Sequence, residues 1–418
     1  MSKFIINGGK KLSGEIRVSG SKNALFPLMA ACLLTGEECV LTNVPQIKDM
    51  ETMVAILQDL GVMVNSSDRT LVIKAGKIEK TKPDPELVSS LRGSVVLLGS
   101  ILARMKKVTM AFPGGDKIGK RPIDAHLSAL EALGAKVTID GKIEVAADEL
   151  TGAKIVMEES SVTATETIIL AASMAKGVST IKLAAMEPHV QQLCEFLNLM
   201  GAKISGIGSP TLTIEGVSKL HGAKVAIIPD SNEAASFITL AAATKSNVTI
   251  TKINPEFLDD FLLKLKMMAV NFEVGPDFIK VKTPDGDYQA TKIQGGLYPK
   301  LASDDIPPMA ILATQAVGKS IMNEWMYENR LGYATELMKM GAAVEAVDSH
   351  NVIITGPTAL KGDKMTSYDI RMGMSLVVAA LVATGQSEID GVEHLDRGYE
   401  HLEERLNVLG ADIKRIEN

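Results

Sequence analysis

Ala129-Leu130-Glu131-Ala132-Leu133-Gly134-Ala135-Lys136-Val137-Thr138-Ile139 holds the end of a helix, a stop and the start of a strand. Gly134 stands where a helix C-terminus wants a left-handed residue, and the alternation after it is that of a strand. The signature returns at Leu60-Gly61-Val62, Met200-Gly201-Ala202, Met340-Gly341-Ala342 and Leu409-Gly410-Ala411, with a degenerate copy at Met267-Met268-Ala269. Copies lie about 67 to 73 residues apart, so one supersecondary unit is used six times.

Upstream of each signature is a second, Ala-rich helical stretch that is apolar nearly all round: 24–34, 94–103, 166–175, 235–243, 308–316 and 375–383. A helix with no polar face must be buried. The pattern therefore predicts strand, buried helix, strand, outer helix, strand, with the buried helices clustered inside sheets. Six units of this size fit two globules of three better than a solenoid, whose periods are shorter. Ile228-Pro229-Asp230-Ser231 is the expected crossing point.

The chain has 418 residues, 46% hydrophobic and 22% charged, which suits a globular protein of two or three domains. A net charge of −6 with 4% aromatics argues against a general nucleic-acid binder. Cys32, Cys39 and Cys194 form neither a disulfide framework nor a metal-ligand spacing, and the histidines give no metal pattern. The first residues lack a signal-peptide core and no apolar run approaches a membrane span, so a soluble cytoplasmic protein is expected.

Any anion site must then be local. Ala111-Phe112-Pro113-Gly114-Gly115-Asp116-Lys117-Ile118-Gly119-Lys120-Arg121-Pro122 is the richest loop, and its glycines could leave N–H groups free for an anion. An ordinary solvated loop is the competing reading. Gly114, Gly119 and Lys120 match a phosphate-loop spacing, but Arg121 replaces the Mg²⁺-ligating Ser or Thr, which excludes that motif. Lys22, Arg92 and Arg371 open buried helices, while Lys48, Arg121, Arg330 and Arg397 precede or open outer ones. A cation at a helix N-terminus opposes the macrodipole, and an anionic ligand would explain it. Repeated at equivalent places, these cations predict a multiply charged anion as ligand. Asp116, Asp304, Asp305, Asp49 and Asp396 lie among them, and two carboxyls in different environments can divide acid and base roles. For Asp304 and Asp305 a helix N-cap is an equal alternative.

Ser19–Ala24, Asn43–Asp49, Pro113-Gly114-Gly115, Ile118–Asp124, Glu328-Asn329-Arg330 and Asp396–Glu400 together resemble the enolpyruvyl transferase family, in the branch that acts on a nucleotide sugar, and the resemblance runs over the whole chain. It implies an α/β fold of two inside-out α/β barrels, each of three β-α-β-α-β-β units. The first barrel would be 22–229, carrying the mobile loop 111–122; the second would be 1–21 plus 230–418, with the site in the cleft between. The implied activity is transfer of the enolpyruvyl group of phosphoenolpyruvate to the 3′-hydroxyl of UDP-N-acetylglucosamine with release of phosphate, the first committed step of peptidoglycan synthesis. The alternatives are the sister transferase acting on 3-phosphoshikimate and a non-catalytic nucleotide-sugar binder.

Carried over by position, Asp116, Asp304, Lys22 and Arg397 are the implied catalytic residues. Lys22, Asn23, Arg121, Arg371 and Arg397 would hold phosphoenolpyruvate. Asn23, Arg92, Arg121, Pro122, Ile123, Asp124, Ala125, Glu159, Ser160, Ser161, Val162, Asp304 and Met326 would bind UDP-N-acetylglucosamine. Asp304 rather than Asp305 aligns with the family's base. No metal or cofactor, no nucleic acid and no membrane insertion are implied, and a monomer or weak homo-oligomer is expected. The chain departs from many relatives at Asp116, where they carry Cys, at Thr163, at Ser231-Asn232, and along Asp305-Ile306-Pro307-Pro308. A carboxylate is a poorer soft nucleophile than a thiolate, so insensitivity to the epoxide fosfomycin is expected.

Overall fold

The computed structural model describes residues 2–116 and 118–417; Lys117, one of the loop cations, lies outside the described residues. The chain divides into two compact units. One comprises residues 20–115 and 122–228, and the other residues 2–19, 116–121 and 229–417. Residues 116–121 thus pack with the 229–417 unit, although the sequence reading attaches the whole 111–122 loop to the first barrel.

Both units are built from the expected repeat. Lys154–Val156 leads into the helix Val162–Ala172, which returns to Val178–Lys182 as its parallel neighbour. The outer helix Pro188–Leu199 follows, and the hairpin of Lys203–Ser205 and Thr211–Glu215 adds antiparallel to the same sheet. A parallel pair needs a long crossover and an antiparallel pair a tight turn, so the helix and hairpin positions follow from the strand directions. Six sheets of this kind occur among the described residues. One has only three strands, Lys107–Met110, Lys136–Ile139 and Ile143–Ala146. Its parallel edge is reduced to a single bond from Thr109 N–H to the Thr81 carbonyl, because Pro83 and Pro85 cannot extend a ladder.

In each unit three buried helical segments pack on one another: 22–34, 92–105 and 162–172 in one, 231–243, 306–313 and 370–382 in the other. All eight residues of Ile306–Ala313 are buried, as the all-round apolar pattern requires. The strands outside alternate, as in Thr211–Glu215, with Leu212 and Ile214 inward. Most of the helical segments begin earlier than the apolar pattern alone suggests: Lys22–Ala31, a 3₁₀ turn Arg92–Val96 before Leu97–Met105, Val162–Ala172, Ser231–Ala243, Ile306–Ala313 and Ile370–Val382. Polar and charged residues stand in their first turns or, for Ile306–Ala313, in the 3₁₀ turn just before, which hides the start from a hydrophobic count.

The glycine stops hold. Gly61, Gly134, Gly201, Gly341 and Gly410 all have positive φ, between 87° and 102°. In the degenerate copy Ala269 takes the same turn at φ 60°, which costs a residue with a Cβ about 1 kcal/mol. The repeat is also exchanged between the units. Ser13–Arg17 precedes the helix Lys22–Ala31 but pairs with Asn247–Thr251, while Lys224–Ala226 precedes Ser231–Ala243 but pairs with Glu38–Thr42. Each unit therefore completes one sheet with a strand from the far side of a chain crossing, at 19/20 and 228/229. No described helix is long and apolar enough to cross a membrane.

Candidate active site

The 229–417 unit gathers its charges at the starts of its three buried helices. Asp230 caps Ser231–Ala243 by accepting from the N–H groups of Asn232 and Glu233, each at 3.0 Å. Asp369 caps Ile370–Val382 by accepting from Arg371 and Met372 N–H at 2.8 and 2.9 Å. At the third start, Ser303–Asp305 forms a 3₁₀ turn into Ile306–Ala313, and neither aspartate makes a side-chain cap. Asp305 thus stands at the N-cap position of Ile306–Ala313 without capping it through its side chain.

Asp304 is held instead by donors from three other places in the chain. Arg330 Nη2 donates to Oδ1 at 2.6 Å, Arg371 Nε to Oδ2 at 2.9 Å, and Asn232 Nδ2 to Oδ2 at 2.9 Å. Both guanidiniums are buried, at 3% and 6% side-chain exposure, so these are charge-assisted bonds in a poorly screened place. Burial opposes the Arg371 charge, but Asp304, Tyr399 and Asp230 outweigh it and keep it cationic. Arg371 also donates to the Tyr399 hydroxyl at 3.2 Å. Asp305 is buried with Oδ1 lacking a partner among the described residues, and burial followed by the Asp304 charge pushes its carboxyl well above the usual range. Neighbouring carboxyls thus differ: one is held by cations, and burial raises the other.

Asp116, on the loop segment of the same unit, accepts from Arg397 Nη1 at 2.6 Å, with both side chains under 20% exposed. The segment is fixed by three further contacts. Asn329 N–H donates to the Ile118 carbonyl at 3.1 Å, Lys120 N–H donates to Glu328 Oε1 at 3.1 Å, and Arg121 lies 5.8 Å over the Tyr327 ring. Tyr327 takes Arg330 as well, at 5.2 Å. Asp396 is bound by Arg415 of the C-terminal strand, which also holds Glu403.

In the 20–228 unit the helix starts carry cations and hydroxyls. Ser21 caps Lys22–Ala31 by accepting from Ala24 N–H at 3.3 Å, and Lys22 Nζ lies 2.8 Å from Asp49 Oδ2. Asn23 is half-buried in the same first turn. Arg92 opens its 3₁₀ turn and donates to the Pro122 carbonyl at 3.2 Å. Ser161 caps Val162–Ala172, after the exposed Glu159 and the half-buried Ser160. Asp124 is the exposed first residue of Asp124–Ala132, and Ile123 and Ala125 are core residues. His126 Nε2 is 2.9 Å from Thr163 Oγ1, and burial, helped by Arg92, pushes its imidazole down to about 3. The loop glycines have a packing reason that the sequence reading missed: a Cβ on Gly114 would collide with the Ser89 carbonyl, and one on Gly115 with Arg92.

Of the residues named from sequence, Asp304 and Arg371 are brought into contact, as are Asp116 and Arg397. Arg121 joins them through Tyr327, beside Arg330; Met326 is half-buried one residue earlier, its N–H donating to Glu324 at 2.9 Å. Arg330, Asn232, Asp369, Tyr327 and Glu328 carry no substrate or catalytic role in the sequence reading. Arg330 had a signal in its place among the outer-helix cations, Glu328 in the same resemblance motif and Asn232 among the departures; Asp369 and Tyr327 had none. No cluster of three or more metal-ligating side chains occurs among the described residues.

The family model described as EPSP synthase (3-phosphoshikimate 1-carboxyvinyltransferase) matches residues 6–406. Proteins named UDP-N-acetylglucosamine 1-carboxyvinyltransferase are similar over full length: that of Borreliella burgdorferi is 42% identical across all of both chains, that of Bacteroides fragilis 40% across all of both, and that of Bradyrhizobium diazoefficiens 42% across 99% and 98%. The enolpyruvyl transferase NikO from Streptomyces tendae shares the fold with a TM-score of 0.90 at 24% identity, covering 99% of this chain and 98% of that one. EPSP synthase from Acinetobacter baumannii does so at 0.79 and 19%, over all of both chains. The chain belongs to the EPSP synthase family of enolpyruvyl transferases, in the group of the UDP-N-acetylglucosamine 1-carboxyvinyltransferases.

Proposed function

We propose that the chain transfers the enolpyruvyl group of phosphoenolpyruvate to the 3′-hydroxyl of UDP-N-acetylglucosamine, releasing phosphate, as the committing step of peptidoglycan synthesis. The observation that carries the mechanism is Asp304, a carboxylate held in a fixed orientation by Arg330, Arg371 and Asn232. Family membership supplies the reaction class.

Asp304 takes the proton of the sugar hydroxyl as its oxygen attacks C2 of phosphoenolpyruvate. Asp116 delivers a proton to C3, giving a tetrahedral adduct. The C3 proton then returns to the Asp116 carboxylate, the C2–C3 double bond re-forms, and phosphate leaves with its bonding pair. Lys22, Arg121, Arg371 and Arg397 hold the phosphate and carboxylate of phosphoenolpyruvate, and Asn23 contacts both substrates. Arg92, the main chain of Pro122–Ala125 and the Glu159–Val162 turn receive the nucleotide, with Ser161 leaving helix N–H groups for the diphosphate. Met326 gives an apolar contact. Asp116 in place of a thiol keeps the acid and removes the soft nucleophile, so fosfomycin should leave activity intact and Asp116→Cys should confer sensitivity.

The test is phosphate release from phosphoenolpyruvate with each acceptor in turn. Release that depends on UDP-N-acetylglucosamine and is absent with 3-phosphoshikimate is expected; the reverse preference, or no release with either, would contradict the assignment.

A further inference from the structure

Asn232 is the second residue of the helix Ser231–Ala243. Its main-chain N–H is already satisfied by Asp230 Oδ1 at 3.0 Å, and its carbonyl accepts from Ser236 Oγ at 2.8 Å. The helix start therefore makes no demand on its side chain. That side chain reaches a residue 72 positions away and donates to Asp304 Oδ2 at 2.9 Å. An ionised carboxylate only accepts, so the nitrogen end of the amide faces Asp304.

Two donors converge on that oxygen, Asn232 Nδ2 and Arg371 Nε, both at 2.9 Å. A carboxylate oxygen has two in-plane lone pairs, and here both are engaged. We infer that Asn232 is a positioning residue that orients the Asp304 carboxylate by holding its Oδ2 with a neutral donor. The inference rests on the reading of Asp304 as the base. A neutral amide matters because Asp304 already faces the cations Arg330 and Arg371. A further cation in place of the amide would fix the carboxylate equally well but would lower its affinity for the incoming proton.

Asp304 is also faced by Asp305 from its own turn, by Arg330 and Tyr327 from the segment before Tyr333–Lys339, and by Arg371 from Ile370–Val382. Asp230 and Asp369 stand behind these, toward Arg371 and Arg330. All remain in place when only position 232 is changed.

The experiment compares Asn232→Leu and Asn232→Lys with the wild type by kcat, by KM for both substrates and by the pH dependence of kcat/KM. Asn232→Leu should lower kcat about 10- to 100-fold, leave each KM within about threefold, and move the acidic limb to higher pH. Asn232→Lys keeps a donor and adds charge, so kcat should fall less than in Asn232→Leu and the acidic limb should move to lower pH. Opposite shifts distinguish a positioning donor from a structural side chain. Unmoved limbs, shifts of one sign, or a loss confined to KM for the nucleotide sugar would overturn the inference. Asn232→Ser, small and polar, covers the case in which Leu impairs folding, and it should shift in the same direction as Leu; an unmoved limb there would count against the inference. If Asp304→Asn keeps near-wild-type kcat, the base assignment itself fails. If that variant is inactive while both Asn232 variants behave as wild type, only the present inference fails.

Discussion

In residues 20–228 the buried helices with side-chain caps are capped by Ser21 and Ser161, and the remaining start carries Arg92. In residues 229–417 the corresponding caps are Asp230 and Asp369, and Asp304 and Asp305 lead into the third helix. Serine and aspartate cap a helix about equally well, so stability alone does not choose between them. They differ in what remains afterwards. A hydroxyl leaves the positive end of the helix uncompensated and ready for an anion, whereas a carboxylate compensates it and attracts guanidiniums. One repeat used twice thus has hydroxyl-capped helix ends in one unit and carboxylate-capped ends in the other, and under the proposed function the first set receives anions while the second holds carboxyls for proton transfer.

The comparison breaks most sharply if the caps are exchanged. Ser161→Asp should fold as the wild type does, yet raise KM for UDP-N-acetylglucosamine by about 100-fold, since a fixed carboxylate would occupy the diphosphate's place. Steady-state kinetics with thermal melting checks this; unchanged KM would mean that the hydroxyl cap has no part in anion binding. On the other side, Arg371→Met should destabilise by about 3–5 kcal/mol, because it removes one of the buried guanidiniums that hold Asp304 beside the buried Asp305. Urea denaturation at pH 7 measures it, and a loss below about 1 kcal/mol would show that the buried Arg371–Asp304 pair does not hold the cluster together.

The helix ends also differ in pH response. His126, at about 3 in the folded chain and near 6.5 unfolded, binds its proton mainly in the unfolded state between those values. Stability contributed by its neutral form is therefore complete above about pH 6.5 and is lost as pH falls toward 3, up to roughly 5 kcal/mol. Buried carboxyls pushed upward, such as Glu166 and Asp305, act in the opposite sense, so the informative quantity is the difference between the wild type and His126→Gln. That variant should be less sensitive to acid by denaturant titration at pH 7 and pH 5; parallel pH curves would contradict the assignment. The smallest effect lies outside the site. Ala269→Gly should stabilise by about 0.5–1 kcal/mol by relieving the left-handed turn of the degenerate repeat, measured as a shift in the denaturation midpoint.

What could be read from sequence follows from how local each requirement is. A glycine after an outer helix answers a backbone need one residue wide, so five copies announced the repeat and Ala269 announced its weak copy. Helix interiors were legible through their all-apolar faces. Helix starts were legible where a cation marks them, at Lys22, Arg92 and Arg371, and not at Ser231 or Ile306, where the apolar pattern is broken by Asn232 or preceded by Asp304 and Asp305. Asp304 and Asp116 could be named by residue type and resemblance, but their partners lie 26 to 72 and 281 residues away, and no local pattern carries that information. The loop glycines were legible as necessary; their reason, contact with Ser89 and Arg92, depends on packing.

The most direct measurement of the central claim is phosphate release from phosphoenolpyruvate and UDP-N-acetylglucosamine by Asp304→Asn and Asp116→Asn, run in D₂O with the deuterium at C3 followed in parallel. The account predicts that each variant, folded by circular dichroism, releases phosphate about 10²- to 10⁴-fold more slowly, while the wild type places deuterium at C3. Release within tenfold of the wild type by either variant would contradict it.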